Sequence, residues 1–131
     1  MNLHCAPTSL NLQLRSSIQS QARFDIAMAP GFVVLVLYPR KPGTTFDWQY
    51  YLSKHTPLAN EIWGPYGMKM HSISEMAAES GYHQTCVIEW ESKEGYEKAQ
   101  QDDRSKEIMA DIADGNFTTA SPVFLAGKIV G

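Results

Sequence analysis

Apolar positions divide the chain into strand-like and helix-like blocks. From Phe32 to Tyr38 the run FVVLVLY is apolar on both faces, as in a strand covered on both sides. Trp48, Tyr51, Leu52, Leu58 and Ile62 then recur at three-and-four spacing, which predicts one buried helical stripe, and His55 falls on it. Asp47 is a suitable N-cap, with Phe46 and Tyr51 at hydrophobic-staple spacing. Pro57 has no N–H for the carbonyl of Ser53, and Thr56 before it is biased away from helical angles, so a kink or restart is expected there. Gly64-Pro65-Tyr66-Gly67 ends the helix and turns the chain.

The pattern next predicts a strand over Met68 to Met76, with Met68, Met70, Ser72 and Ser74 on one face and Lys69, His71 and Ile73 on the other. A polar connection, Ala77 to Tyr82, leads to a third strand, Gln84 to Trp90, with Cys86, Ile88 and Trp90 sharing a face. Ser92 caps a second helix whose inner face carries Tyr96, Ala99, Ile108, Met109 and Ile112, with a break over Gln100 to Ser105. Asp111 to Ser121 reads as irregular loop, and Val123 to Val130 as the last strand. The order β-α-β-β-α-β is the ferredoxin-like α+β arrangement, a four-stranded antiparallel sheet with both helices on one face. The other face is left open, although the first and last strands are apolar on both sides. A homodimer with the open faces packed together is the expected solution.

A length of 131 residues suits one domain with a single core. Residues 1–30 differ from the rest, being rich in Ser, Gln and Asn and free of acids before Asp25. Arg15 and Arg23 give them a mild likeness to a transit peptide, but Leu10, Leu12 and Leu14 alternate instead of forming a helical stripe. A disordered or weakly structured extension is expected there, or a start at Met28, with the folded domain over 31–131. A net charge of -3, pI near 5.7 and no basic run argue against a nucleic-acid partner. No apolar run reaches membrane-span length. Cys5 and Cys86 form neither a disulfide framework nor a metal motif, which suits a reducing, cytoplasmic setting.

Chemistry-bearing residues are sparse. No Gly-rich phosphate loop, Cys pair, HExxH helix or nucleophile elbow is present. His71 and His83, on or beside adjacent strands, could approach one another, but two histidines are a weak case for a metal and none is assigned. Trp48, Trp63 and Trp90 could line an apolar pocket or simply fill the core. Glu94, Glu97, Asp102, Asp103 and Glu107 read as a solvated helix face paired in part with Lys98 and Lys106. His55 faces inward beside the Pro57 irregularity. It is either a core histidine bonded to a backbone carbonyl or an acid/base group.

The central stretch resembles the EthD family, named for a small protein linked to bacterial degradation of ethyl tert-butyl ether. The matching pieces are Tyr38-Pro39 with Lys41-Pro42-Gly43, Phe46-Asp47, Tyr50-Tyr51-Leu52, Lys54-His55-Thr56-Pro57 and Gly64-Pro65-Tyr66-Gly67-Met68-Lys69. Weaker matches are Ile108-Met109-Ala110-Asp111-Ile112, Asn116-Phe117-Thr118 and Pro122. Ala113-Asp114-Gly115 departs from the family's shorter loop. The resemblance implies a dimeric α/β barrel and an oxidoreductase-type or related enzyme that needs no cofactor and acts on an apolar or phenolic small molecule. His55 and Tyr66 are then the catalytic candidates, and Tyr51, Trp63, His83 and Trp90 the substrate-binding ones. The alternatives are a non-catalytic carrier serving a separate oxygenase, and a haem binder using His55 or His83.

Overall fold

The computed structural model describes residues 31–131; the extension expected over 1–30, with Cys5, lies outside the described residues. The elements follow the expected order: β1 (Phe32–Pro39), α1 (Trp48–Tyr50), a π-helical segment (Tyr51–His55), α2 (Thr56–Trp63), β2 (Met68–Glu75), β3 (Tyr82–Trp90), α3 (Lys93–Gln101), α4 (Ser105–Ala113) and β4 (Val123–Lys128). The sheet order is β2-β3-β1-β4, with every pair antiparallel. This is the ferredoxin-like α+β fold. Val34, Val36, Cys86, Ile88 and Trp90 turn one sheet face toward Tyr51, Ala59, Ile62, Ala99 and Ile108 of the helical layer, and together they form the core.

Asp47 caps the first helical turn by accepting from the Tyr50 amide at 3.1 Å. The expected staple is present too, with the Phe46 and Tyr51 rings 5.0 Å apart. The predicted break at Pro57 takes another form. Thr56 is helical (φ -66°, ψ -39°), and its amide bonds the carbonyl of Tyr51, five residues back. One extra residue is thus wound into the turn before the proline, and the Thr56 hydroxyl donates to the Leu52 carbonyl at 3.2 Å. The wider turn advances the helical phase. Leu52, expected inside, is 52% exposed, while His55, Thr56 and Ala59 are buried.

β2 departs from strict alternation for a similar reason. A bulge between Met70 and Ser72 puts His71 out of register, so Ile73 pairs with Cys86 on the helix-covered side while Ser72 pairs with Val87 on the open side. Ser92 caps α3 through the Gly95 amide at 3.0 Å, and the helical pair breaks after Gln101, as expected. Ile108 and Ile112 are buried, but Met109 is exposed. The acidic face pairs differently from the expectation. Arg104 holds Glu107 (2.9 Å) and Glu61 (2.7 Å), and no ion pair to Lys98 or Lys106 occurs among the described residues.

Candidate functional site

α4 continues to Ala113, so Asp111, expected at the start of the loop, stands in its last turn. Gly115 adopts a left-handed φ of +73° and its amide bonds the Ile112 carbonyl, which closes the helix. The segment beyond is fastened to the entry of α1. The Asp47 amide donates to the Phe117 carbonyl at 2.6 Å, Phe46 bridges Thr118, and the Thr118 hydroxyl donates to the Thr45 carbonyl at 2.7 Å. Asn116 and Phe117 are thereby carried against the π-helical segment.

His55 is the centre of this junction. Its Nδ1 lies 2.8 Å from Oδ2 of Asp111, with both side chains buried. The Tyr50 hydroxyl (2.6 Å) and the Asn116 amide (2.7 Å) both donate to the other oxygen, Oδ1. Burial alone would push the Asp111 carboxyl up, but the three bonds from Tyr50, Asn116 and His55 outweigh it and hold the group below its ordinary range. Asp111 is therefore ionised and can only accept, so Nδ1 of His55 carries the proton. The imidazole sits between the rings of Phe117 (4.5 Å) and Tyr51 (5.4 Å). Burial lowers its pKa below 6.5, and Asp111 offsets that only in part. At neutral pH the ring is uncharged, and Nε2 has no hydrogen-bond partner among the described residues. A neutral imidazole held through Nδ1 by a fixed carboxylate is a proton acceptor at Nε2.

Tyr51 is buried behind the ring, and its hydroxyl receives the Gln84 amide at 2.7 Å. Burial drives its pKa well above 10, so it stays a neutral phenol. The other candidates are spread over the domain. Tyr66, at the far end of the helical run, donates to Asp102 at 2.7 Å. His83 bonds the Thr44 hydroxyl through Nε2 at 2.8 Å and stacks on Phe46. His71 is exposed, 3.8 Å from Glu89, so the two histidines do not meet. No group of three metal-ligating side chains occurs among the described residues.

Trp63 and Trp90 do come together, with rings 5.7 Å apart, in the wall of a cavity of about 190 Å³ between the helices and the sheet. Val34, Val36 and Ile88 form its floor, and His55 is not among the lining residues. Trp48 packs against Phe46 at a tilt of 53°, and it is not among the residues lining this cavity. Sequence reasoning missed Asp111, Tyr50 and Asn116 as functional residues. Asp111 and Asn116 fall within matched motif pieces, but no periodicity marks an acid that lies 56 residues from its partner.

Fold and site together define a ferredoxin-like α+β domain with a buried histidine–carboxylate pair where the first helical run meets the loop after α4. Comparison with solved structures then places the chain among EthD-like folds. An EthD-like protein from Ralstonia eutropha JMP134 superimposes with a TM-score of 0.62 at 25% identity, over 77% of this chain and 93% of that one. An ethyl tert-butyl ether D (EthD) family protein from Bacillus halodurans C-125 does so with a TM-score of 0.54 at 19% identity, over 76% and 99%. A protein of unknown function from Rhodopseudomonas palustris shares the fold at 8% identity, with a TM-score of 0.54 over 99% of both chains. No family model matches the sequence, and no curated protein matches it. The EthD resemblance carried by the motifs is thus matched in three dimensions. No helix of the described residues is long and apolar enough to cross a membrane.

Proposed function

We propose that the protein is a cofactor-independent enzyme of small-molecule metabolism in which His55 is the general base. The observation that carries this reading is the fixed pair: Nδ1 bound to Asp111 at 2.8 Å and Nε2 without a partner among the described residues. Nε2 takes a proton from an O–H or an acidified C–H of the substrate. The imidazolium so formed is stabilised by Asp111, whose other oxygen Tyr50 and Asn116 already occupy. An apolar or phenolic substrate suits the aromatic surroundings of the pair. Tyr66, half-buried at the far end of the helical run and bonded to Asp102, has no part in this step.

The working unit is a homodimer in this reading. Val33, Leu35, Leu37 and Val87 share the sheet face away from the helices, where the register places Val123 and Leu125 beside Leu37 and Leu35. Val123 is 40% and Leu125 52% exposed in the single chain. Such a continuous apolar face calls for a partner.

Turnover of phenols and aromatic ethers by wild type and His55→Gln tests the assignment. General-base catalysis predicts a loss of roughly 10²–10⁴-fold with the fold retained. A variant as active as wild type would end it. One observation favours a second reading, a non-catalytic carrier: the apolar cavity between the helices and the sheet is not lined by His55. Saturable binding without turnover of any bound compound would select that reading.

A further inference from the structure

The cavity between the helices and the sheet has dimensions and chemistry of its own. Its volume is about 190 Å³. An apolar cavity of ~150 Å³ stays dry and takes up benzene, so this one fits a single aromatic ring with a short substituent. Three-ring fused systems such as anthraquinone exceed it. Trp63, Trp90 and Tyr96 supply flat walls, with Trp90 lying 5.7 Å from Trp63 and 5.3 Å from Tyr96. Half-exposed Met109 and Phe124 stand at its opening, and Gln100 is its one amide. No charged side chain lines it, so a charged ligand would lose its hydration without compensation.

One polar atom of these wall residues lacks a partner, and it lies behind the cavity surface. Trp63 Nε1 donates to the Ser105 hydroxyl at 2.7 Å. Trp90 Nε1, on a residue only 2% exposed, has no acceptor among the described residues. Buried indole N–H groups ordinarily find an acceptor, and one left unmade is costly. An oxygen on a ring seated against the tryptophan faces would satisfy it once a turn of the Trp90 side chain brings Nε1 to the cavity surface.

We propose that this cavity is a binding site for a neutral single-ring aromatic compound bearing one acceptor oxygen, an aryl carbonyl or aryl ether, with that oxygen bonded to Trp90 Nε1–H. The proposal rests on the small-molecule part of the functional reading and is independent of His55 as base.

Calorimetric titration of the full chain with toluene, acetophenone and anthraquinone tests it. Acetophenone is expected to bind more tightly than toluene, and anthraquinone not to bind. Trp90→Phe, which keeps an aromatic wall, should weaken acetophenone roughly two- to tenfold and leave toluene nearly unchanged. In wild type, the Trp90 indole N–H resonance should move downfield with acetophenone and not with toluene, a readout that does not depend on the variant folding. Acetophenone binding should persist in His55→Gln whatever happens to turnover, so loss of the base assignment would leave this site standing. Absence of saturable binding, equal weakening of both single-ring ligands by Trp90→Phe, an unmoved indole resonance or equally tight anthraquinone binding would each overturn the proposal.

Discussion

His55 gains its character from three side chains drawn from other parts of the fold. Asp111 fixes Nδ1, while Tyr50 and Asn116 keep that carboxylate ionised and oriented. Because burial lowers its pKa in the folded chain, His55 is the free base at neutral pH. Its contribution to stability is fully present above about 6.5, the ordinary histidine value, and is lost as pH falls from there toward the lower folded value. His83, lowered by burial and by Arg40, acts in the same direction. Melting temperature is therefore expected to drop between pH 7.5 and 5.5, and to drop less in His55→Gln, as thermal melts across that range would show. The acid limb of kcat/KM should have its midpoint below 6.5 in the wild type. A second expectation concerns Cys86, buried beneath the helices with its thiol pushed up to about 11. Iodoacetamide at neutral pH should leave it unmodified in the folded protein and alkylate it after denaturation. His55 itself was legible in the sequence through its inward phase and its place before Pro57. Its partner was not, because Asp111 stands in the last turn of α4, and the contact depends on how that helix packs beside the first helical run.

Among the elements, what the sequence missed was local insertion. A period of 3.6 residues counts Leu52 as buried, but the π-helical segment adds one residue before Pro57 and turns Leu52 outward. The proline signals a disturbance without saying whether the chain kinks or widens. Likewise a two-residue period assigns Ser72 to the face of Met70, and the bulge at His71 reverses it. Caps were read correctly at Asp47 and Ser92 because their bonds are confined to one turn. The packing of α3 gives a further prediction. Ala in place of Gly within a helix ordinarily stabilises by up to ~1 kcal/mol. At Gly95, however, an added Cβ would collide with the backbone carbonyl oxygen of Tyr66, in the turn that ends the first helical run. Gly95→Ala is therefore expected to destabilise by about 1–3 kcal/mol, the usual effect of overpacking, in chemical denaturation.

For the whole molecule, the two-faced apolar character of β1 was the most informative signal in the sequence. It predicted a helix-covered face, which is present as the core, and an opposite face in need of cover. Val123, Leu125 and their neighbours on β1 and β3 make up that second face. A homodimer through it should be disrupted by Leu125→Glu, since the register sets this half-exposed side chain beside Leu35 of β1 on the apolar face. Sedimentation at micromolar concentration is expected to show a dimer for wild type and a folded monomer for the variant. A stable wild-type monomer would refute the assembly. The cavity beside Trp63 and Trp90 was legible only as a collection of aromatics, because volume depends on how three elements meet.

Base catalysis by His55 depends on the protonation of its ring, and long-range proton–nitrogen NMR of His55 at pH 7 reports it directly. The arrangement with Asp111 predicts a neutral imidazole protonated at Nδ1 and bare at Nε2, titrating below pH 6.5. A ring carrying its proton on Nε2, or one still charged at pH 7, would contradict the assignment of His55 as the base.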